Sequence, residues 1–113
     1  MVYIYETKDK DAIIFVPKNA YESEQLREQA AQHDVWFHVR GMDSAHIYLR
    51  MNIPISDLSE IPDSCFFQCA QLAVNNCRKG KRSKVLPLLY TWASNIQQEV
   101  SAQSGKFSFK HKD

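Results

Sequence analysis

The chain has 113 residues, 44% of them hydrophobic and 24% charged, which predicts one domain with its own core and excludes a largely disordered protein. No stretch approaches the roughly 18 consecutive apolar residues of a membrane-spanning helix, so no membrane segment is predicted. The N-terminal MVYIYETKDKD has neither the basic nor the apolar region of a secretory signal. Three cysteines, an odd number, favour free thiols in a reducing compartment, and we expect a cytoplasmic or nuclear protein.

The first third of the chain predicts two strands and a helix. VYIYE and AIIFVP have strand character and are separated by the charged turn TKDKD. Asn19 is a candidate N-cap for a helix over AYESEQLREQAAQ, residues 20–32, whose apolar stripe is weak. We therefore expect this helix to lie on the surface.

The stretch DVWFHVRGMDSAHIYLR, Asp34 to Arg50, predicts an antiparallel hairpin of two strands around GMDSA. Side chains alternate between the two faces of a strand, so even-numbered positions share one face and odd-numbered positions the other. The odd face is aliphatic and predicts a core wall. The even face carries Trp36, His38, Arg40, His46, Tyr48 and Arg50.

The second half predicts a buried helix, a strand and a variable end. Pro62 marks a helix start, and the helix runs from Asp63 to about Cys77 with its cysteines as small core residues. VLPLLYTWA predicts a strand in which Pro87 indicates an edge or a bulge. SNIQQEVSAQSG is partly helical by its pattern, and KFSFKH alternates like a strand that closes a sheet. The predicted fold is α+β: a mostly antiparallel sheet with a central hairpin, packed with two to three helices.

The even face of the hairpin has the chemistry of a nucleic-acid contact. Aromatic rings and guanidinium planes stack on bases at roughly 1–3 kcal/mol per base. Arginine and histidine also contact phosphate, and the hydroxyl of Ser44 is a donor to sugar or phosphate. The alternative is that the surface helix covers Trp36 and Tyr48 and that His38 is a core residue. For the whole set we predict a binding surface.

Charge is divided unevenly along the chain. Residues 1–76 carry six Lys/Arg against eleven Asp/Glu, a balance of −5, whereas residues 77–113 carry eight against two, a balance of +6. Five of the seven residues in RKGKRSK, residues 78–84, are basic. The segment is either a solvated loop or an attractor for phosphate or another acidic partner.

Two other chemistries fit the residues less well. His38 and His46 lack a cysteine or carboxylate at a recognisable metal-ligand spacing, so no metal and no cofactor is predicted. A histidine oriented by Asp34 or Asp43 has the elements of a general acid or base, but no nucleophile motif accompanies it. GKRSK is not a phosphate-cradling P-loop.

These residues resemble the NFACT-R domain family, whose core reads WFH…SAH.YLR. The similarity extends upstream through IIFVPKNAYESEQL and downstream through YTWASN to GKFSFKHKD, which is most of the chain. SAHIYLR looks most like the small eukaryotic branch of coiled-coil domain-containing proteins, in which the domain precedes a charged C-terminal helix. Two features depart from the family pattern: Asp43-Ser44-Ala45 precedes His46 where larger relatives carry Pro-Gly, and Trp92 replaces the proline of Tyr-Thr-Pro.

The resemblance implies an α+β domain with a role in RNA binding. Larger relatives are ribosome quality-control factors that hold tRNA on stalled large subunits, and the stand-alone branch is associated with DNA binding. We expect one domain over residues 1–113, shortened before the charged helix, through which a protein partner would bind. By resemblance, the motif positions are Trp36, Phe37, His38, Ser44, Ala45, His46, Arg50, Tyr90, Thr91 and Asn95.

The leading hypothesis is a module without catalytic activity that binds RNA (tRNA or rRNA) or, second, DNA. Its alternatives are a protein-interaction adaptor of ribosome or chromatin assemblies, and a tRNA-processing enzyme that uses His38 and His46 as an acid/base pair. The residues predicted to contact nucleic acid are Trp36, His38, Arg40, Ser44, His46, Tyr48, Arg50, Arg78, Lys79, Lys81, Arg82, Lys84, Tyr90 and Asn95.

Overall fold

The computed structural model describes residues 2–39, 46–76, 88–97 and 108–109. Seven strands and two α-helices follow one another within these residues, with short 3-10 turns at Leu58–Glu60 and Ala93–Asn95. No helix in the described ranges is long and apolar enough to cross a membrane. The elements are β1 (Tyr3–Glu6), β2 (Ala12–Val16), α1 (Ala20–Gln29), β3 (Val35–Val39), β4 (Ile47–Met51), α2 (Asp63–Asn75), β5 (Leu88–Trp92), β6 (Ile96–Gln97) and β7 (Ser108–Phe109).

Five strands form one antiparallel sheet in the order β1-β2-β4-β3-β5. β3 and β4 pair directly, with Trp36 opposite Tyr48, so the predicted hairpin and its even-to-even pairing are confirmed. β5 pairs with β3 and is the last strand of the sheet, in agreement with the edge position that Pro87 indicated. The α+β fold is thus confirmed.

One face of the sheet packs against α2. The odd side chains of β3 and β4 meet Cys65, Cys69 and Ala73, all of which are fully buried. Small side chains at four-residue spacing form one stripe of the helix and let its backbone approach the sheet closely. The two described cysteines are free and belong to this core, as predicted.

The opposite face is covered by α1 and by the segment that follows β5. Leu26 and Ala30 of α1, together with Ala93 and Ile96, pack against Trp36 and Tyr48. α1 begins where the sequence predicted, because the Asn19 side chain accepts a hydrogen bond from the Glu22 amide at 2.9 Å. The sheet is therefore a middle layer with helical structure on both sides.

The ends of both helices and the pairing of the last described strand differ from the predictions. α1 ends at Gln29 because Asp34 draws the next residues into a turn, its carboxylate accepting from the Ala31 amide at 2.9 Å. α2 ends at Asn75, and Cys77 lies outside the described residues. Among the described residues after β5, β7 pairs with β6 in a separate two-stranded sheet and not with the main sheet.

The segment predicted to be partly helical begins with the 3-10 turn Ala93–Asn95 and continues as β6. Its remainder, residues 98–105, lies outside the described residues, as does Pro87.

Candidate nucleic-acid interface

Four even-numbered side chains of the hairpin form a compact buried cluster. Trp36 is 0% exposed, Tyr48 2%, His38 7% and His46 8%. The prediction that they present an open surface is wrong. The sheet has a helical layer on each side, so alternation sorts these side chains between two covered faces.

A hydrogen bond orders the centre of this cluster. The Trp36 indole N–H donates to Nδ1 of His46 at 3.0 Å, so the proton of a neutral His46 imidazole is on Nε2. The His38 ring stacks parallel to Trp36 with its centroid 5.6 Å away, and it lies 4.7 Å from the His46 ring. The two histidines are thus brought together, as part of the packing between strands.

The Tyr48 hydroxyl is buried on the same face, and no hydrogen-bond partner for it is found among the residues that the structure describes. Burial raises the pKa of this phenol well above its ordinary range. Tyr48 therefore contributes its ring to the packing.

Arg50 forms a two-pronged ion pair at the edge of the hairpin. Its Nε and Nη2 donate to the two carboxylate oxygens of Asp34 at 3.0 and 2.8 Å. The guanidinium also lies over the Phe15 ring, 5.1 Å from its centroid. Asp34 is committed to Arg50 and Ala31, so its predicted role of orienting a histidine is not supported. Part of Arg50 remains exposed.

Two motif residues near β5 differ in accessibility. Asn95 is buried and donates to the Thr91 hydroxyl at 3.2 Å, which ties the 3-10 turn to the strand. The side chain is thus held inside the fold, and its predicted contact with nucleic acid stays a prediction. Tyr90 is 45% exposed, and its ring meets the edge of Phe66 with centroids 4.9 Å apart.

Trp92, noted in the sequence only as a replacement for proline, lines a surface cavity of about 200 Å³. Its ring packs edge-on against His33, with centroids 5.7 Å apart. No pattern in the sequence indicates this cavity, because its walls come from segments far apart along the chain that the fold brings together. The lining residues are Gln32, His33, Ser56, Trp92 and Ser94.

Several predicted contact residues lie outside the described ranges: Arg40, Ser44, Arg78, Lys79, Lys81, Arg82 and Lys84. No group of three or more His, Cys, Asp or Glu side chains suited to a metal ion is found in residues 2–39, 46–76, 88–97 and 108–109.

Comparison with known proteins shows the family. Residues 1–111 match the model of the NFACT protein RNA binding domain. The chain belongs to the NFACT-R family. This match covers the whole sheet, both helices and the buried Trp36–His46 pair.

Relatives of this NFACT-R domain include two small eukaryotic proteins. Coiled-coil domain-containing protein 25 of Danio rerio is 33% identical over 96 residues, which are 85% of this chain and 46% of that protein. The Dictyostelium discoideum homolog is 28% identical over 106 residues, 94% of this chain and 51% of that protein. The chain therefore spans about half the length of these relatives.

A solved structure shares the NFACT-R fold. The C-terminal part of the fibronectin/fibrinogen-binding protein from Streptococcus suis superposes with a TM-score of 0.81 at 19% identity, over 99% of this chain and 43% of that one. At this identity the similarity concerns the fold alone.

Proposed function

We propose that this NFACT-R domain is a nucleic-acid-binding module without catalytic activity, which prefers RNA, of tRNA or rRNA type, to DNA and acts in the cytoplasm or nucleus. The observation that carries the proposal is the match to an RNA binding domain over residues 1–111. The concentration of Lys and Arg in residues 77–113 supports it, because neutralising phosphates is the main source of affinity for nucleic acid.

The burial of the hairpin cluster changes where the contacts are proposed. Trp36, His38, His46 and Tyr48 are not proposed to stack on bases, because stacking needs a ring face that a base can reach and these rings are buried. The proposed direct contacts are Arg50, which is partly exposed on the α1 side of the sheet, and the basic residues of 78–84 for phosphates, and the exposed ring of Tyr90, on the α2 side, for unpaired bases.

The test is a titration of labelled tRNA and of an unstructured RNA oligomer at several salt concentrations. Each phosphate neutralised on a single strand contributes a slope of about −0.7 to the dependence of log K on log salt. Replacing the five basic residues of 78–84 by glutamine is expected to reduce the magnitude of that slope by up to roughly 3.5. Binding that is absent at low salt, or independent of salt, contradicts the proposal.

A matched control is available in the acidic half of the chain. Lys8, Lys10 and Lys18 are exposed and belong to residues 1–76. Replacing these three by glutamine removes positive charge from that half and is expected to leave the slope nearly unchanged. An equal loss of slope in this variant would mean that net charge, and not the basic segment, drives association.

A second candidate is a protein-interaction adaptor, which one observation favours. β1 is the other outer strand of the sheet, and its side chains Tyr3, Ile4 and Tyr5 are exposed. An extended peptide can pair with such a strand through its backbone. The adaptor predicts that partner capture withstands both ribonuclease and neutralisation of residues 78–84. Capture that requires RNA and the intact basic segment counts against it.

The enzyme alternative has less support. His38 and His46 are adjacent, but both rings are buried, and His46 Nδ1 already accepts the Trp36 bond. An acid/base pair needs access to a substrate. Under the proposed function, incubation with tRNA leaves the RNA covalently unchanged, and product formation abolished by His38→Gln would contradict this.

A further inference from the structure

The edge strand β5 carries two aromatic side chains on one face. Tyr90 lies opposite Phe37 and Trp92 opposite Val35, so both rings project toward the α2 side of the sheet. Tyr90 is 45% exposed and Trp92 is partly buried. Two residues of a strand advance about 6–7 Å, roughly twice the 3.4 Å between stacked bases of a helical strand. The spacing suits bases of an extended strand better than bases of a duplex.

The two rings are held in place before any ligand binds. Tyr90 contacts Phe66 edge-on and also stacks near Phe37 at 5.9 Å, while Trp92 is braced by His33. Side chains fixed by such packing lose little rotamer freedom on binding, and pre-organisation of this kind favours affinity.

The cavity beside Trp92 is lined by this one aromatic residue and by polar residues. Its volume is about 200 Å³, and its other walls are Gln32, His33, Ser56 and Ser94. The amide of Gln32 and the hydroxyl of Ser94 can donate and accept hydrogen bonds. A nucleobase has the matching chemistry, with two apolar faces and an edge of donors and acceptors.

The charges of the chain fit this placement. Lys84, the last residue of the basic segment, precedes Leu88 of β5 by four residues. The segment that supplies cations for phosphate is therefore close in sequence to the strand that carries the aromatic rings.

We infer that Tyr90 and Trp92 form a binding site for unpaired nucleobases of single-stranded RNA, with one base stacked on Tyr90 and another entering the cavity beside Trp92. The inference rests on the proposed function and gives it a ligand class and a location.

The first test compares leucine variants of aromatic residues. Tyr90→Leu and Trp92→Leu keep an apolar side chain but remove the ring face. Each is expected to weaken binding of an unstructured oligouridine roughly 5- to 100-fold, with an unchanged salt slope. A blunt RNA duplex should bind both variants as it binds the original chain. The matched control is Tyr21→Leu, since Tyr21 is 68% exposed but lies on α1, across the sheet.

The outcomes separate this inference from the proposed function. If the unmodified chain binds neither single-stranded nor duplex RNA, both are wrong. If it binds RNA with the expected salt dependence while all three variants bind oligouridine equally well, the nucleobase site alone is wrong. An equal loss of duplex binding in the Tyr90 and Trp92 variants also overturns the site.

A second measurement uses the unmodified protein and so does not depend on a variant folding. Oligouridine that contains 5-bromouridine is irradiated in complex with the chain, and the cross-linked protein is cleaved with trypsin. Cleavage after Lys84 and Lys106 releases residues 85–106, whose aromatic residues are Tyr90 and Trp92. Cross-links on either ring support the site. Cross-links confined to other peptides overturn it.

Discussion

Asp34 and Arg50 form an ion pair whose two partners differ sharply in burial. The Asp34 side chain is 4% exposed, whereas the Arg50 side chain is 45% exposed. Hydrogen bonding to Asp34 raises the pKa of Arg50, so the guanidinium stays charged throughout the working range. Because the carboxylate is the buried partner, loss of the arginine should cost more than loss of the acid.

This asymmetry gives a prediction of stability. Arg50→Met leaves a buried carboxylate without its cation and is expected to lower the free energy of unfolding by about 2–4 kcal/mol. Asp34→Asn leaves a cation that water can solvate, and the expected cost is about 1–2 kcal/mol. Urea unfolding with unchanged m-values measures both. The comparison variant is Arg27→Met, which removes a partly buried pair with Glu24 within α1 and, because both partners lie on one helix, should cost less than Arg50→Met, about 1 kcal/mol. The reverse order of the first two variants would contradict the assignment.

For the Tyr48 hydroxyl, we predict that its removal does not lower the free energy of unfolding. The hydroxyl is buried without a hydrogen-bond partner among the described residues. Its burial therefore costs the hydrogen bonds that it makes to water in the unfolded chain, and removing the hydroxyl removes that cost. Tyr48→Phe is expected to leave the free energy of unfolding unchanged or to raise it by up to about 1 kcal/mol. Thermal and urea unfolding give the measurement. A loss of more than about 1 kcal/mol would reveal a bond to the hydroxyl.

At the scale of elements, the sequence determined the hairpin but not its surroundings. Alternation correctly placed Trp36 opposite Tyr48, because the period of a strand is fixed by its backbone. It could not say which face is exposed, since that depends on what packs there. The bulk of Trp36 and the Leu26 and Ala30 stripe of α1 were signals of a second buried face. The cavity beside Trp92 had no local signal at all.

α1 covers that second face, and its N-terminus offers a test. The Asn19 side chain accepts from the Glu22 amide, while Glu22 accepts from the Lys18 amide at 2.8 Å. Asn19→Ala is expected to lower the free energy of unfolding by about 1 kcal/mol and to speed hydrogen exchange in α1. Gln25→Ala, on the exposed side of the same helix, should change stability by less than about 0.5 kcal/mol.

The turn that carries Ser56 beside the cavity responds to acid. The Ser59 amide lowers the pKa of Asp57, and hydrogen bonds from Ser56 and the Asp57 amide lower the pKa of Glu60. A carboxyl group whose pKa is lowered by folding stabilises the turn at pH values above its ordinary pKa. This stabilisation is lost as the pH falls through the pKa of the folded state. We expect the Asp57 and Ser59 amide resonances to shift together below about pH 4.

The Asp57→Asn variant separates this titration from other effects of acid. Asparagine can still cap the turn through its side-chain oxygen but carries no ionisable carboxyl. In this variant the Ser59 amide resonance should no longer shift with pH through the carboxyl of residue 57. The amide resonance of residue 57 should still shift as Glu60 titrates. An unchanged Ser59 titration in the variant would exclude Asp57 as its source.

At the scale of the whole molecule, charges separated by the width of the chain influence one another appreciably only at low salt. The chain extends 38 × 32 × 30 Å, while the Debye length is about 30 Å at 0.01 M salt and about 8 Å at 0.15 M. The balance of −5 in residues 1–76 therefore opposes the approach of RNA in dilute buffer. At physiological salt, only charges near the contact affect the affinity for RNA.

Neutralising distant carboxylates tests this division. Glu6 in β1, Asp11 in the turn before β2 and Glu28 in α1 are exposed and lie outside β5. Their replacement by Gln, Asn and Gln is expected to strengthen RNA binding roughly threefold at 0.01 M salt and to have no effect at 0.15 M. A gain that persists at 0.15 M would place these carboxylates at the contact itself, and the proposed interface along β5 and the basic segment would then be in the wrong part of the molecule. Salt screens the repulsion between RNA and a distant carboxylate more strongly than the repulsion from a carboxylate at the contact. Measurements at the two salt concentrations therefore distinguish the two cases.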